Sequence, residues 1–168
     1  MSPDPSTLAV AGAITLFMLS ATGSAVSTAL VASTAIGAWQ KCFSANKPAP
    51  FTMVTFVGMP LTNTLYGMVL MFSIFSKLEK NQLSLTAAWA LLAICIIVGI
   101  VIGLTSYAQA RAAACACNAQ GETGQGFGNY IAAVGIIEGV TIFAFVFSLV
   151  ALGNLFGAEI APAGIPPA

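Results

Sequence analysis

Residues 129–155 read NYIAAVGIIEGVTIFAFVFSLVALGNL, a run long enough to cross a bilayer as one helix and interrupted by a single carboxylate, Glu138. Seen from this stretch the chain is a membrane protein, and Glu138 is its first candidate functional residue. An ionised acid near the bilayer centre costs roughly 3 kcal/mol on insertion scales. A cation, a proton or a polar partner must offset that cost.

Composition agrees with the membrane class. Apolar residues make up 58 % of the chain, charged residues 6 %, and mean hydropathy is +0.96, whereas a soluble domain carries about a quarter charged residues. Five basic residues (Lys41, Lys47, Lys77, Lys80, Arg111) balance five acidic ones (Asp4, Glu79, Glu122, Glu138, Glu159). No net field recruits nucleic acid or anionic lipid.

Working outward from residues 129–156, three further apolar stretches at 8–39, 51–76 and 84–119 complete four predicted membrane helices. The predicted connections are KCFSANKPAP (41–50), KLEKNQ (77–82) and NAQGETGQGFG (118–128). Such short loops make consecutive helices antiparallel neighbours. The start, MSPDPS, lacks a basic n-region and is expected to be a retained segment, with Ser6 or Thr7 capping the first helix. The tail 162–168, with three prolines, is expected to be non-helical.

The first and third helices exceed what a bilayer needs and should protrude on the side of the first and third loops. That side carries Lys41, Lys47 and Arg111 against Lys77 and Lys80 on the other. The positive-inside rule then puts those loops in the cytoplasm and both termini outside.

The halves resemble each other. GSAVSTALVASTAIG (23–37) lies over GLTSYAQARAAACAC (103–117), and VGMPLTNTLYG (57–67) over VGIIEGVTIFA (134–144), which puts Leu61 opposite Glu138. The expected organisation is two tandem helical hairpins, 1–82 and 83–168, only the second carrying the acid. Small residues recur at four-residue spacing in the first and third helices (Ala25, Ala29, Ser33, Gly37; Ser106, Ala110, Ala114). In lipid such stripes let backbones approach, either within one subunit or between copies in an inner ring.

The doubled hairpin, the Gly/Ala-rich helices, the single acid in the fourth helix and MPLTNTLYG (59–67) together resemble the proteolipid of V-type and A-type rotary ATPases, the c or K subunit of the rotor ring. The resemblance covers residues 8–155. It implies an all-α integral membrane protein assembled into a homo-oligomeric rotor ring, with Glu138 binding and releasing Na+ or H+ as the ring turns past a stator a/I-type subunit bearing an essential arginine. It also implies central-shaft partners at the first and third loops, and ATP chemistry in soluble subunits, so that the chain is itself no enzyme. A prokaryotic cell membrane is favoured over a eukaryotic endomembrane.

Residue by residue, the resemblance implies an ion site of Glu138, Gln109, Thr62, Asn63 and the Met59 carbonyl. Pro60 frees backbone carbonyls and Tyr66 donates its hydroxyl to the acid. Asn63 stands where sodium-binding members carry glutamine and is one methylene shorter. Gln109, Thr62 and Tyr66 favour sodium, since hard cations want several oxygens, whereas a proton needs only the carboxylate and one acceptor. Pro60 itself removes an amide donor, leaves the Phe56 carbonyl without its helical partner and lets the helix bend.

Arg111, two residues beyond Gln109, points about 200° away on a helix and is expected to snorkel rather than pair with Glu138. Cys42, Cys95, Cys115 and Cys117 form no CxxC, the chain has no histidine, and the cysteines read as small apolar fillers. Two rival functions stay open: a small four-helix secondary transporter with Glu138 as its proton or substrate site, and a structural membrane scaffold.

Overall fold

The structure, a computed structural model, describes residues 4–160, the side chains of 158–160 excepted. It is all-helical in the order α1 (Pro5–Ser44), α2 (Met53–Gly58), a 3-10 turn (Met59–Leu61), α3 (Thr62–Leu78), α4 (Leu85–Thr123) and α5 (Phe127–Ile160). Helix α2, the turn and α3 form one continuous span, Met53–Leu78. Among the described residues, four helices are therefore long and apolar enough to cross a membrane. The expected four-span, all-α membrane fold is what the chain adopts.

Helix ends depart from the expectation in an instructive way. Asp4, not Ser6 or Thr7, caps α1: its carboxylate accepts from the Thr7 amide at 3.2 Å, and Pro5 occupies the first helical position, where a missing N–H costs nothing. At the other end α1 runs on to Ser44. Helix α4 likewise continues through residues Asn118 to Thr123, predicted to be loop, because this turn packs on α1, with Gln120 buried and Gly121 against Ala38 and Cys42; it stops at Gly124, whose φ of +67° is a left-handed cap that glycine adopts without strain. Ser84 caps its start through the Ala87 amide. The tail 162–168 lies outside the described residues.

Helices α1 and α4, 40 and 39 residues long, form the central pair and run parallel in register. Gly12 faces Leu92, Gly23 faces Gly103, and the Cys42 thiol donates to the Gly121 carbonyl at 3.3 Å. Helix α3 packs on α1 and α5 on α4, giving a second layer behind the pair. At about 1.5 Å per residue the central helices reach nearly 60 Å, well past the roughly 30 Å of hydrocarbon in a bilayer.

The buried core comes in two apolar blocks. One gathers Leu16, Leu70, Ile74, Leu91, Ile102 and Phe156; the other gathers Val31, Met53, Phe56, Ala113, Cys117 and Val134. Between them lies a stratum of buried polar side chains: Ser20, Ser24, Ser27, Asn63, Ser106, Gln109 and Thr141. Buried polar groups cost energy unless hydrogen-bonded. The stratum therefore marks where the chain keeps its chemistry.

Candidate functional site

The stratum is organised around Pro60. Around it the winding changes to a 3-10 turn, Met59–Leu61, within the second span, where proline removes the amide that an α-helix would use. The Pro60 carbonyl faces the bundle interior and accepts three side-chain donors: the hydroxyl of Ser24 from α1, Nδ2 of Asn63 at 3.3 Å, and the hydroxyl of Ser106 from α4 at 3.4 Å. Three of the four spans meet at that one oxygen.

From there a chain of hydrogen bonds leads outward. Asn63, fully buried, donates Nδ2 to Oε1 of Gln109 at 3.0 Å. Gln109 turns its Nε2 towards Oε2 of Glu138 on α5 at 3.5 Å, a stretched contact. The hydroxyl of Tyr66, one turn along α3 from Thr62 and Asn63, donates to Oε1 of Glu138 at 3.0 Å. Tyr66 is held in turn against the Phe145 ring, with centroids 5.3 Å apart. Glu138 itself is half-buried, on the flank of the bundle. One turn along α5, Thr141 donates to the Thr105 hydroxyl at 2.9 Å.

The structure thus brings Glu138, Gln109, Asn63 and Tyr66 into one network. Thr62 and Met59 lie beside it: the Thr62 hydroxyl donates to the Met59 carbonyl at 2.8 Å, which leaves lone pairs on both oxygens. The carbonyl that gathers donors from other helices is that of Pro60, not Met59. Arg111 is exposed next to buried Gln109 and Ala110, as its helical phase requires. Cys42 does more than fill space, since its thiol ties the end of α1 to that of α4.

Ser24 and Ser106 are the site residues that sequence reasoning missed. Ser106 was counted only among the small residues. The available signal was Ser20, Ser24 and Ser27, a polar face at helical spacing in a helix otherwise suited to lipid.

A hydrogen bond to a charged group contributes about 1.5–3 kcal/mol, and here one good donor, the Tyr66 hydroxyl, and one stretched donor, the Gln109 amide, face the Glu138 carboxylate.

Comparison with known proteins bears on this half of the molecule. Residues 92–151 match the family model of the ATP synthase C-subunit. The matched segment spans most of α4 and α5 and contains both Gln109 and Glu138. The match makes this segment similar to that family, and the four candidate spans fit an integral, multi-pass membrane protein. No curated protein matches the chain.

Proposed function

We propose that the chain is the ion-carrying proteolipid of the membrane rotor ring of a V/A-type ATPase, and that Glu138 takes up and releases one monovalent cation, Na+ or H+, per passage of the stator. The observation that carries this reading is the half-buried Glu138 carboxylate, held by Tyr66 and Gln109 from two neighbouring helices. Loaded, it is neutral and crosses the lipid-facing arc. Beside a stator arginine and an aqueous half-channel, the empty anion is favoured.

Further features support assembly into a ring. Ala25, Ala29 and Ser33 are exposed on α1 rather than used inside the subunit, so their small side chains are free to seat a neighbouring copy. A Cβ on Gly135 or Gly139, flanking Glu138 on α5, would meet nothing within 4 Å, which leaves room for close approach there. The parallel, in-register contact of Gly23 with Gly103, equivalent positions in the two halves, supports a duplicated hairpin. In this assembly the α1–α2 and α4–α5 connections contact the central shaft on the cytoplasmic side of a prokaryotic membrane. Nucleotide chemistry belongs to soluble subunits.

The test uses N,N′-dicyclohexylcarbodiimide on the purified oligomer and on the whole complex. Glu138 should be the labelled residue, and Glu138→Gln should abolish ion-coupled ATP hydrolysis while leaving a multi-subunit annulus visible by electron microscopy. A small oligomer would favour the transporter reading. A Glu138→Gln complex that still couples would favour the scaffold.

A further inference from the structure

Helix α5 carries Glu138, and its rotation about its own axis decides how far the carboxyl stands out from the bundle. The buried line of α5 runs through Val134, Thr141, Ser148 and Leu152, which lie within about 40° of one another at about 100° per residue. Glu138 stands about 60° from Thr141 around the helix and about one turn before it, at the edge of that line, which is why it is half-buried. Apolar burial is non-directional, so Val134 and Leu152 hold α5 against the bundle more firmly than they hold it from turning. On either side of the acid, Gly135 and Gly139 offer no side chain to wedge the helix, and a Cβ on either would meet nothing within 4 Å.

Tyr66 and Gln109 both tie α5 through the carboxylate itself. Each time the acid exchanges a cation these two hydrogen bonds are broken or remade, so they give α5 no fixed reference. Thr141 supplies a tie that leaves the acid out. Its hydroxyl, on a residue 1 % exposed, donates to Oγ1 of Thr105 on α4 at 2.9 Å. Thr105 places its own proton between the carbonyls of Val101 and Ile102, 3.0 Å from each, which leaves its oxygen to accept and fixes that oxygen to the α4 backbone. Stepping back from Gln109 to Thr105 on α4 and forward from Glu138 to Thr141 on α5 is the same step along the bundle, so the two pairs are rungs of one ladder. A hydrogen bond weakens steeply as its angle closes, and the Thr141–Thr105 rung therefore resists the turning that apolar contacts allow. Ser148, on the same line, spends its hydroxyl on the Ala144 carbonyl of its own helix at 2.6 Å.

We propose that Thr141 is a positioning residue: through Thr105 it sets the rotation of α5 and so keeps the Glu138 carboxyl at the edge of the bundle while the acid exchanges its cation. The proposal rests on the cation-carrier reading of Glu138. With the rung in place, a carboxylate that has let go of Tyr66 and Gln109 moves by its own side-chain torsions and returns to the same two donors. Without it, α5 turns as a whole and carries the acid towards the lipid flank.

The experiment measures the rate at which dicyclohexylcarbodiimide labels Glu138 in the purified oligomer, at one neutral pH and one salt concentration, for wild type, Thr141→Val, Thr141→Ser and Ser148→Ala. Thr141→Val keeps the side chain's shape without its hydroxyl and should label about fivefold faster, which corresponds to about 1 kcal/mol. Thr141→Ser keeps the hydroxyl and should stay within about twofold of wild type. Ser148→Ala loosens the same buried line without touching a tie between helices, and should label at the wild-type rate. A merely structural Thr141 would lower the melting temperature and leave the labelling rate where it was. The proposal is overturned by a Thr141→Val oligomer that labels no faster than wild type, or by Thr141→Ser or Ser148→Ala labelling as fast as Thr141→Val. Should Thr141→Val fail to assemble, Thr105→Val, which removes the acceptor instead, must show the same gain; a wild-type rate there, or failure of both variants to assemble, also overturns the proposal. Absence of labelling at Glu138 in every form would instead overturn the cation-carrier reading, and the proposal with it.

Discussion

A Cβ built on Gly23 would overlap the Cα of Gly103 and sit 3.0 Å from its carbonyl carbon, closer than carbon atoms sustain. The first and third spans therefore touch backbone to backbone near their middles. Gly103 is less confined, since a Cβ there would meet the Leu19 carbonyl at 3.3 Å and the Gly23 Cα at 3.6 Å. Gly23→Ala should destabilise the subunit by about 1–3 kcal/mol, as overpacking does, and Gly103→Ala by clearly less. Thermal unfolding of the purified protein in detergent, followed by circular dichroism, checks the order of the two.

Gly67 offers a rescue experiment. A Cβ there would meet the Ser20 hydroxyl at 2.5 Å and the Ser20 Cβ at 2.6 Å. Gly67→Ala alone should lower the melting temperature, and adding Ser20→Gly should recover most of the loss. A double-mutant cycle should return a coupling of about 0.5–3 kcal/mol, the range for residues in contact. Additive effects would mean that the α1–α3 contact lies elsewhere.

Tyr66→Phe deletes the 3.0 Å hydrogen bond to Glu138 and leaves the ring packed on Phe145. Losing about 1 kcal/mol or more of restraint lets the carboxyl swing away from the bundle more often. Dicyclohexylcarbodiimide labelling at neutral pH should quicken about fivefold or more, with assembly unchanged. Unaltered kinetics would reduce the tyrosine to a packing residue.

The Asp4 cap predicts a pH dependence at the start of α1. The Ser6 hydroxyl first, then the Thr7 amide, hold the Asp4 carboxyl below its ordinary value of 3.8. A carboxyl lowered by folding contributes stability that is fully present above 3.8 and is lost as pH falls below it through the folded value. Protection of the Thr7 and Leu8 amides from exchange, taken relative to their intrinsic rates at each pH, should fall in that acidic window and not above it. Asp4→Asn, which still caps, should flatten the response.

How much of this was legible beforehand follows from range. Four spans and the lone acid could be foreseen because apolar run length is a local property of the chain, and the Tyr66–Glu138 hydrogen bond because the resemblance to rotor proteolipids implied it. The ends of α1 and α4 could not be placed from polarity: Asn118 to Thr123 look like loop, yet helix continues until Gly124 supplies the left-handed residue that ends it. The direction of the Asn63 and Gln109 amides was likewise hidden. It depends on a backbone carbonyl at Pro60 and on hydroxyls at Ser24 and Ser106, brought in by helices distant in sequence.

The change of winding at Met59–Leu61 has a mechanical meaning. Helices α1 and α4 run unbroken and are clamped together where Gly23 meets Gly103, so they resist flexure. The second span is softened at one joint, at the level of the Asn63–Gln109–Glu138 chain. The compliance of the chain is therefore concentrated at that joint, and any flexing of the second span is felt first beside the carboxylate of Glu138.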